Sequence, residues 1–382
     1  MKLIAKTLYG LEKVLADELL SLGSGDVQEV NRAVLFKGDL NLLYKANYCL
    51  RTALSILVTV SEFRIKSSKD LYNHCLKVEW DKYLDNEDTF SVVPVVKSDL
   101  FPHTGYAGLL LKDAVADWFR SRTGKRPSVN SADPDILINL HISQDKATVS
   151  LDSSVVPLYK RGYRVEQSVA PLNEVLAAGM ILISGWDSKV PLMDPMCGSG
   201  TIPVEAGLIA CMIPPGKFRP FFGFQRWKDY DEDLFGGVRE AMDKDTANFP
   251  VKISGSDISE KAVVQARANV RSAGLDKVIQ IVAADFNDLP PDDEGGLIFI
   301  NPPYGKRIQP AEIGELYSMI GTKLKHSFAG KSAFIITADK ESLKHIGLKP
   351  KEKKILYNGA LECVFAKYEL YRGTRKKEHD TI

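Results

Sequence analysis

From residue 190 onward, the sequence alternates short apolar segments with helical or loop stretches. Five apolar segments recur in this half of the chain, and they read VPLMD, KISGSD, IQIVAAD, LIFINPP and SAFIITA. Strands that are apolar along their whole length are buried on both faces, and their alternation with helices is typical of a parallel sheet covered by helices on both sides. The pattern predicts a doubly wound, Rossmann-like α/β domain over residues 163–382.

Two smaller α+β units are predicted before this domain. Residues 1–63 have the order β-α-β-β-α-β, which is typical of a ferredoxin-like unit. Residues 64–162 contain an alternating strand TFSVVPVV, a helix AGLLLKDAVADWFRSRTG and two further strands, DILINLHI and KATVSLD. At the other end of the chain, EKKILYN and ECVFAKYEL flank Asn358-Gly359, so we expect an antiparallel hairpin to complete the large sheet.

Composition narrows the classes of protein to consider. The 382 residues are 45% apolar and 26% charged, as in a globular protein, and the net charge of +1 means that a nucleic-acid contact needs a local basic patch. Five cysteines without a CxxC pair argue against a disulfide framework and against a zinc site. The sequence has neither a signal-type amino terminus nor an 18-residue apolar run. We therefore predict a cytoplasmic protein with no metal and no membrane segment.

The first ligand-binding motif is the loop DPMCGSGT, which follows the strand VPLM and precedes a helix. Gly198 and Gly200 allow a ligand to approach backbone N–H groups at the helix N-terminus. A tight strand-to-helix connection would also need glycines, so this loop is weak evidence alone. Cys197 within it is interpreted as a small side chain at a turn, not as a nucleophile.

Acidic residues follow the next two strands. The Asp257 carboxylate can accept hydrogen bonds from ribose hydroxyls, and Asp285 can accept one from an adenine amino group, while Ile258 or Phe286 packs against the ring. Each aspartate could instead cap a helix. Three acidic strand ends at the carboxyl edge of one parallel sheet favour a nucleotide-type ligand.

The ligand could be a dinucleotide or S-adenosylmethionine. The loop lacks GxGxxG spacing, and Asp257 comes 63 positions after Asp194, whereas dinucleotide sites usually have their acid about 20 residues after the glycines. The terminal hairpin is also unusual for a dinucleotide sheet. We therefore predict S-adenosylmethionine as the cofactor.

The segment NPPY, Asn301 to Tyr304, follows the fourth strand. The Asn301 side-chain oxygen and the Pro302 carbonyl can accept the two N–H bonds of an exocyclic amino group and stabilise the charge that develops there. Pro302 and Pro303 restrict the backbone in advance, and Tyr304 offers a ring on which an extruded base can stack. The alternative is a rigid strand-terminating turn, and the three preceding acidic strand ends favour the catalytic interpretation.

Taken together, these motifs resemble those of a known family, the THUMP-domain class I methyltransferases that modify guanine N2 in RNA. The resemblance is strongest to the bacterial large-subunit rRNA enzymes of that family. The resemblance rests on LMDPMCGSGTIPVEA, GSDIS, AADF, NPPYGKRI and the inter-domain segment SLDSSVVPLYKRGYRVEQSVAPLNEVLAAGMI. It implies that residues 64–162 form a THUMP domain. It also implies that the methionine portion of the cofactor is held by Asp194, Pro195, Met196, Cys197, Gly198, Ser199, Gly200 and Thr201. The family includes a fused form with a second methyltransferase domain, so we expect this chain to perform one modification.

RNA contacts are predicted in two places. Arg120, Arg122, Lys125 and Arg126 crowd a helix end and the loop after it, where they could bind phosphates or form an ordinary solvated surface. Lys306 and Arg307 follow the NPPY motif and are expected near the phosphate of the flipped nucleotide. The aromatic and basic segment from Pro214 to Phe235 could contact unstacked bases or form a satellite core.

The sequence thus predicts an S-adenosylmethionine-dependent enzyme that methylates the N2 amino group of a guanine in RNA, with 23S rRNA as the first expectation. A tRNA enzyme of the same architecture is the nearer alternative. A non-catalytic RNA-binding protein with a methyltransferase-like fold is the more distant one.

Overall fold

The structure is a computed structural model, and it describes residues 1–165, 171–244, 251–292, 294–303 and 310–371. The contacts divide the chain into two compact units, each with one sheet. Unit 1 comprises Met1–Thr7, Leu15–Lys160 and Arg219–Ala241, and unit 2 comprises Leu8–Val14, Arg161–Phe218 and Met242–Ile382.

The first 160 residues form eight strands and four α-helices. They are β1 (Lys2–Lys6), α1 (Glu12–Ser21), β2 (Val27–Val30), β3 (Ala33–Lys37), α2 (Leu40–Cys49), β4 (Ser55–Arg64), α3 (Ser68–Leu76), β5 (Thr89–Lys97), α4 (Thr104–Thr123), β6 (Ser128–Val129), β7 (Ile136–Ser143) and β8 (Lys146–Asp152).

Later in the chain, the described residues form five more α-helices and seven more strands. They are α5 (Glu174–Ile183), β9 (Leu192–Asp194), α6 (Thr201–Ala210), α7 (Glu232–Lys244), β10 (Ile253–Asp257), α8 (Glu260–Ser272), β11 (Ile279–Ala283), β12 (Leu297–Ile300), α9 (Pro310–Ser327), β13 (Ser332–Thr337), β14 (Glu352–Asn358) and β15 (Leu361–Glu369). Short 3-10 helices cover Trp80–Lys82, Pro215–Phe218, Gly223–Arg226, Phe286–Asp288 and Ser342–Ile346.

In unit 1 the predicted β-α-β-β-α-β order is confirmed as β1-α1-β2-β3-α2-β4. The sheet continues past this segment, because β4 pairs antiparallel with β8 and gives the strand order β2-β3-β1-β4-β8-β7-β5-β6. The two predicted α+β units therefore share one eight-stranded sheet. The division at residues 63 and 162 stays a prediction.

In unit 2 the five apolar segments form the predicted parallel strands, and the sheet order is β11-β10-β9-β12-β13-β15-β14. The predicted hairpin is present as β14 and β15, which pair antiparallel and add to β13. The class I methyltransferase fold expected for this half is thus confirmed.

Burial explains why β12 lies in the middle of the unit 2 sheet. Ile298, Phe299 and Ile300 are fully buried, and α9 packs Tyr317 and Leu324 into the core cluster that contains Ile298 and Ile300. Each buried side chain of this size stabilises the fold by about 1.5–3 kcal/mol relative to exposure. Asn301 follows Ile300 directly, so this core determines where the NPPY motif begins.

Helix caps fix the starts of two helices around the sheet. The Asn173 side chain accepts from Val175 and Leu176 N–H at the start of α5, and Ser259 accepts from Ala262 N–H at the start of α8. Such caps stabilise a helix by about 1 kcal/mol each. None of the helices within the described residues has the length and apolar character needed to cross a membrane.

Candidate active site

A cavity of unit 2 lies where β9, β10 and β12 end. It has a volume of about 480 Å³, within the usual range for small-molecule sites. Carboxyl ends of parallel strands are the expected ligand edge of such a sheet. We call it the strand-end cavity. Most of the predicted site residues line it: Asp194, Pro195, Met196, Cys197, Gly198, Ser199, Thr201, Asp257, Ile258, Asp285, Phe286, Asn301 and Pro303.

Five predicted residues stand apart from that set. Gly200 and Pro302 are adjacent to lining residues and do not line the cavity themselves. Tyr304, Lys306 and Arg307 lie outside the described residues, so their roles stay predictions.

The loop between β9 and α6 depends on its glycines. Gly198 and Gly200 have φ angles of 53° and 80°, in the left-handed region that glycine adopts without a steric penalty. A Cβ at Gly200 would lie 3.1 Å from the Ala266 Cβ of α8. The Cys197 N–H donates to the Ser256 carbonyl at 2.9 Å, so the loop follows the end of β10 closely.

Asp194 is buried at the base of the cavity, with 1% of its surface exposed. One carboxyl oxygen accepts from the Met196 N–H at 3.2 Å. Burial raises its pKa to about 8, and the negative charge of Asp257 adds to this shift. Among the described residues no cation pairs with Asp194, so a positively charged ligand group in the cavity would favour its ionised form.

Cys197 lies in the same loop and is also buried. Burial raises its pKa well above the ordinary thiol value, and the neighbouring carboxyl groups of Asp194 and Asp257 act in the same direction. Because a thiol must ionise to act as a nucleophile, this environment agrees with the structural role expected for Cys197.

Asp257 joins the two loops at the mouth of the cavity. Its Oδ2 accepts from the Gly198 N–H at 2.9 Å and its Oδ1 accepts from the Ser259 N–H at 2.9 Å. Each carboxylate oxygen can accept a second hydrogen bond. Asp257 can therefore hold the glycine loop and still accept from ligand hydroxyls.

Asp285 and its neighbours offer one polar contact beside apolar surface. Asp285 caps the following 3-10 helix through the Asn287 N–H, at 2.8 Å, and stays half-buried. Ile258 is 74% exposed, whereas Phe286 is buried and its ring stacks on Phe328. Of the two predicted ring contacts, Ile258 keeps more of its surface available to a ligand.

Asn301 lines the strand-end cavity and has a buried side-chain acceptor. Its Oδ1 is buried and accepts no hydrogen bond from any residue that the structure describes. A buried acceptor without a donor costs about 1–3 kcal/mol. Pro302 is buried and Pro303 half-buried, and their restricted backbone keeps Asn301 at the cavity. The arrangement can accept a hydrogen bond from a ligand amino group.

Sequence reasoning missed further residues at the cavity. Pro171, Leu172, Gln265, Leu316 and Met319 line it as well. The helical i, i+3 spacing of Leu316 and Met319 indicates only an apolar helix face, and no local signal separates a core face from a cavity wall. No group of three or more His, Cys, Asp or Glu residues in the described chain could hold a metal ion.

The predicted basic patch lies on α4 and the loop after it in unit 1. Arg120 forms an ion pair with Asp117 at 2.6 Å, Arg122 lies over the Trp118 ring at 4.1 Å, and Lys125 is 3.7 Å from Glu87. Arg126 is exposed, and no ion pair or hydrogen bond is found for it in the described part of the chain. The four residues remain predicted RNA contacts, with Arg126 the least engaged by the protein itself.

Of the segment predicted from Pro214 to Phe235, residues 219–235 belong to unit 1, and we call this part the aromatic segment. Phe222, Phe224, Trp227 and Phe235 are buried, and Phe224 stacks on Tyr44 of α2 with centroids 4.5 Å apart. The burial of these four side chains favours the satellite-core interpretation.

The arginines of this segment also bind the protein itself. Arg219 donates to the carbonyls of Val156, Pro157 and Lys160, and Arg226 pairs with Asp133 at 2.8 Å. These guanidinium groups therefore serve the packing of unit 1.

Three family models match the chain. An RlmL ferredoxin-like domain matches residues 2–57, a THUMP domain matches residues 66–152, and an RMKL-like methyltransferase domain matches residues 161–367. The last match covers more than half of the chain.

Similar proteins have been catalogued in several bacteria. A Synechocystis sp. protein provisionally named an RNA methyltransferase is 38% identical, and the alignment covers 95% of each chain. Proteins of Syntrophotalea carbinolica and Psychromonas ingrahamii named ribosomal RNA large subunit methyltransferase K/L are 37% and 36% identical. The chain spans about half the length of these two relatives, 54% and 49%.

Solved structures with the same architecture are also known. SMU.472, provisionally named a methyltransferase and solved with SAH, is 31% identical with a TM-score of 0.87, over 98% of this chain and 99% of that one. A Listeria monocytogenes protein, named by inference an N6-adenine-specific DNA methylase, is 28% identical with the same TM-score, over 97% and 96% of the two chains.

Proposed function

Because the chain belongs to the RMKL-like methyltransferase family, we propose that it transfers the methyl group of S-adenosylmethionine to the N2 amino group of a guanine in RNA. The RNA we propose is large-subunit ribosomal RNA. The K/L relatives carry this substrate class in their name, and a THUMP match precedes the methyltransferase domain. The large-subunit assignment is a proposal, since this chain spans only about half of those relatives.

The observation that carries the proposal is the buried Asn301 Oδ1, which accepts a hydrogen bond from none of the described residues. An acceptor left in this state at the edge of a cavity is suited to a ligand that donates. An exocyclic amino group donates two N–H bonds, and the Asn301 side chain together with the Pro302 carbonyl offers two acceptors. The same residues would be poorly matched to a hydroxyl nucleophile, which has one hydrogen to donate.

These acceptors address the difficulty of the reaction. The lone pair of a base amino group is delocalised into the ring, so the nitrogen is planar and a weak nucleophile. S-adenosylmethionine supplies an electrophilic methyl group on a sulfonium centre. Asn301 and Pro302 would orient the nitrogen and stabilise the positive charge that develops on it as the nitrogen–methyl bond forms and the methyl–sulfur bond breaks. S-adenosylhomocysteine would leave as a neutral thioether, and the nitrogen would then release one proton to solvent.

The residues of the cavity fit the proposed cofactor. Asp194 is a buried carboxyl without a described cation partner, and the cofactor has an ammonium and a sulfonium group that can supply one. Asp257 has acceptor capacity for the ribose hydroxyls, and Asp285 with Ile258 offers one polar contact beside an apolar surface for adenine. The SAH complex of SMU.472 supports the same cofactor class.

The test combines a labelled cofactor with a panel of nucleic acids. Purified protein, methyl-labelled S-adenosylmethionine and separate samples of large-subunit rRNA, small-subunit rRNA, tRNA and precursor ribosomal particles from a strain lacking the gene are incubated, and nucleosides are analysed by mass spectrometry. We expect N2-methylguanosine in large-subunit RNA, free or in particles. Label in tRNA would mean that tRNA, and not large-subunit rRNA, is the substrate. Label on adenine N6, in these samples or in a further sample of duplex DNA, would mean that the target base is adenine and not guanine.

A further inference from the structure

Arg164 lies ten residues before α5, in the inter-domain segment and outside the cofactor and NPPY motifs, and it contacts the cofactor loop directly. Its Nη1 donates to the Ser199 Oγ at 3.0 Å and its Nη2 donates to the Thr201 Oγ1 at 3.1 Å. The side chain is 13% exposed. One guanidinium group thus spans the two hydroxyl groups on either side of Gly200.

The charge of Arg164 is balanced inside the protein. Its Nε donates to the Glu174 Oε1 at 2.9 Å, and its Nη2 lies 2.8 Å from the same oxygen. Burial raises the pKa of Glu174, and the positive charge of Arg164 opposes that shift. A lone cation at the N-terminus of α6 would be unfavourable, because that end of a helix has a partial positive charge. The Glu174 carboxyl group, which pairs with Arg164, offsets this unfavourable interaction.

A second connection leads from the next residue to the same loop. The Val165 N–H donates to the Asn269 Oδ1 at 2.9 Å, and the buried Asn269 Nδ2 donates to the Ser199 carbonyl at 2.9 Å. Ser199 is therefore held at its hydroxyl by Arg164 and at its carbonyl by Asn269. Both contacts originate, directly or through one side chain, from residues 164 and 165.

The loop needs such support because of its glycines. Gly198 and Gly200 flank Ser199 with left-handed φ angles, and glycine loses more conformational freedom than any other residue when it is ordered. A loop that is ordered only when a ligand binds reduces the affinity by its ordering cost. Contacts that order it beforehand remove that cost.

We infer that Arg164 is a positioning residue, which holds Ser199 and Thr201 so that the glycine loop is ready to receive S-adenosylmethionine. The inference rests on the proposed function for the identity of the ligand. A guanidinium is suited to this role because its donors lie in a rigid plane and can engage three acceptors at once, which a lysine ammonium on a flexible chain does less well.

The experiment measures the Kd of S-adenosylhomocysteine by calorimetry and the melting temperature for wild type, Arg164→Ala and Arg164→Lys. The matched control is Arg267→Ala in α8, whose part-buried guanidinium donates to the Ile281 carbonyl and to no other acceptor in the described parts of the chain. We expect the Kd to rise about 10- to 100-fold for Arg164→Ala and less for Arg164→Lys. For the control we expect a similar loss of melting temperature and a Kd within threefold of wild type.

A double-mutant cycle with Ser199→Ala separates positioning from general destabilisation. If Arg164 acts through Ser199, the Kd changes of the single variants are not additive in the double variant. Additive changes, or an Arg164→Ala Kd within threefold of wild type, would overturn the inference. Should Arg164→Ala fail to fold, the same criterion applies to Arg164→Lys.

The outcomes keep the inference apart from the proposed function. Cofactor binding that depends on Arg164 without any methyl transfer to RNA would leave the inference standing and remove the proposed substrate. Failure of the wild-type protein to bind S-adenosylhomocysteine would remove the cofactor assignment and this inference with it.

Discussion

The strand-end cavity in unit 2 and the aromatic segment in unit 1 have similar side-chain chemistry, since both mix polar groups with apolar ones. They differ in where the polar groups are directed. In the aromatic segment, Arg219 and Arg226 donate to backbone carbonyls and to Asp133. In the cavity, Asn301 Oδ1 is buried without a described donor, and Asp194 is buried without a described cation.

This difference separates a packing role from a ligand-binding role. Buried polar groups in proteins are almost always hydrogen-bonded within the fold, so the exceptions call for an explanation. The aromatic segment also has such an exception, the buried Trp227 Nε1, which has no described acceptor, but its arginines have partners and its rings pack together. The cavity combines an unpaired acceptor, a carboxyl group with a raised pKa and a volume that suits a small molecule.

The largest effect is expected for a substitution in the aromatic segment, which tests its packing role. Phe224→Ala removes a buried ring that stacks on Tyr44 and Phe222, and we expect the free energy of unfolding to fall by about 3–5 kcal/mol. Urea titration followed by circular dichroism measures this. Phe221→Ala is the matched control, because Phe221 is half-buried and should cost much less. Unchanged stability together with a loss of RNA affinity would instead indicate that the segment contacts unstacked bases.

The next largest effect is expected for a substitution in the strand-end cavity, which tests its ligand-binding role. Asn301→Ala removes the unpaired acceptor, and we expect turnover to fall about 10²- to 10³-fold, as for loss of one preorganised group that stabilises developing charge. Affinity for S-adenosylhomocysteine should stay within threefold of wild type. Asn301→Asp keeps an acceptor oxygen and should retain part of the activity. Wild-type turnover in the alanine variant would contradict the catalytic role.

Asp194 connects the cavity to pH-dependent stability. Its pKa in the folded chain is about 8 against about 3.9 for an unperturbed aspartate. Between these values the folded chain keeps a proton that the unfolded chain releases, so stability falls as pH rises, by at most about 1.4 kcal/mol per pH unit. Asp194→Asn should therefore be more stable than wild type near pH 7 and similar near pH 4, while binding the cofactor more weakly.

Chemical denaturation from pH 4 to pH 8 measures this effect. Asp187→Asn is the control, because Asp187 is exposed and its pKa is lowered by the Lys189 side chain. We expect no comparable change of slope in that variant. A parallel pH profile for wild type and Asp194→Asn would show that the Asp194 carboxyl titrates normally, and the argument for a cation partner would then fail.

The smallest effect concerns the basic patch of unit 1. Arg126 is exposed without a described partner, whereas Arg120 pairs with Asp117. Arg126→Ala should weaken RNA binding by up to about tenfold and reduce the salt dependence of the association constant by about one counterion, because a phosphate contact is lost. Arg120→Ala should change both less. Equal effects of the two substitutions, measured by filter binding at several salt concentrations, would argue against this ranking.

Much of the fold follows from local patterns. The strands β9 to β13 are recognisable because runs such as LIFI can be stable only when both faces are covered, and the ferredoxin-like order follows from the alternation of periods along the first 63 residues. The NPPY motif and the acidic strand ends can also be recognised locally, because each follows one predicted strand. Their proximity then follows from the parallel topology, which places the carboxyl ends of the strands at one edge of the sheet.

Tertiary structure alone decided which of these side chains remain available to a ligand. Nothing in the sequence near Phe224 shows that Tyr44, 180 positions earlier, covers its ring, and nothing near Arg164 shows that its guanidinium meets Ser199 and Thr201. Periodicity and motif spacing report the local conformation and the face that a residue occupies. Hydrogen-bond partners and burial depend on segments far apart in the chain, so the sequence determined the sheet and its ligand edge, and the packing determined which polar groups were left for chemistry.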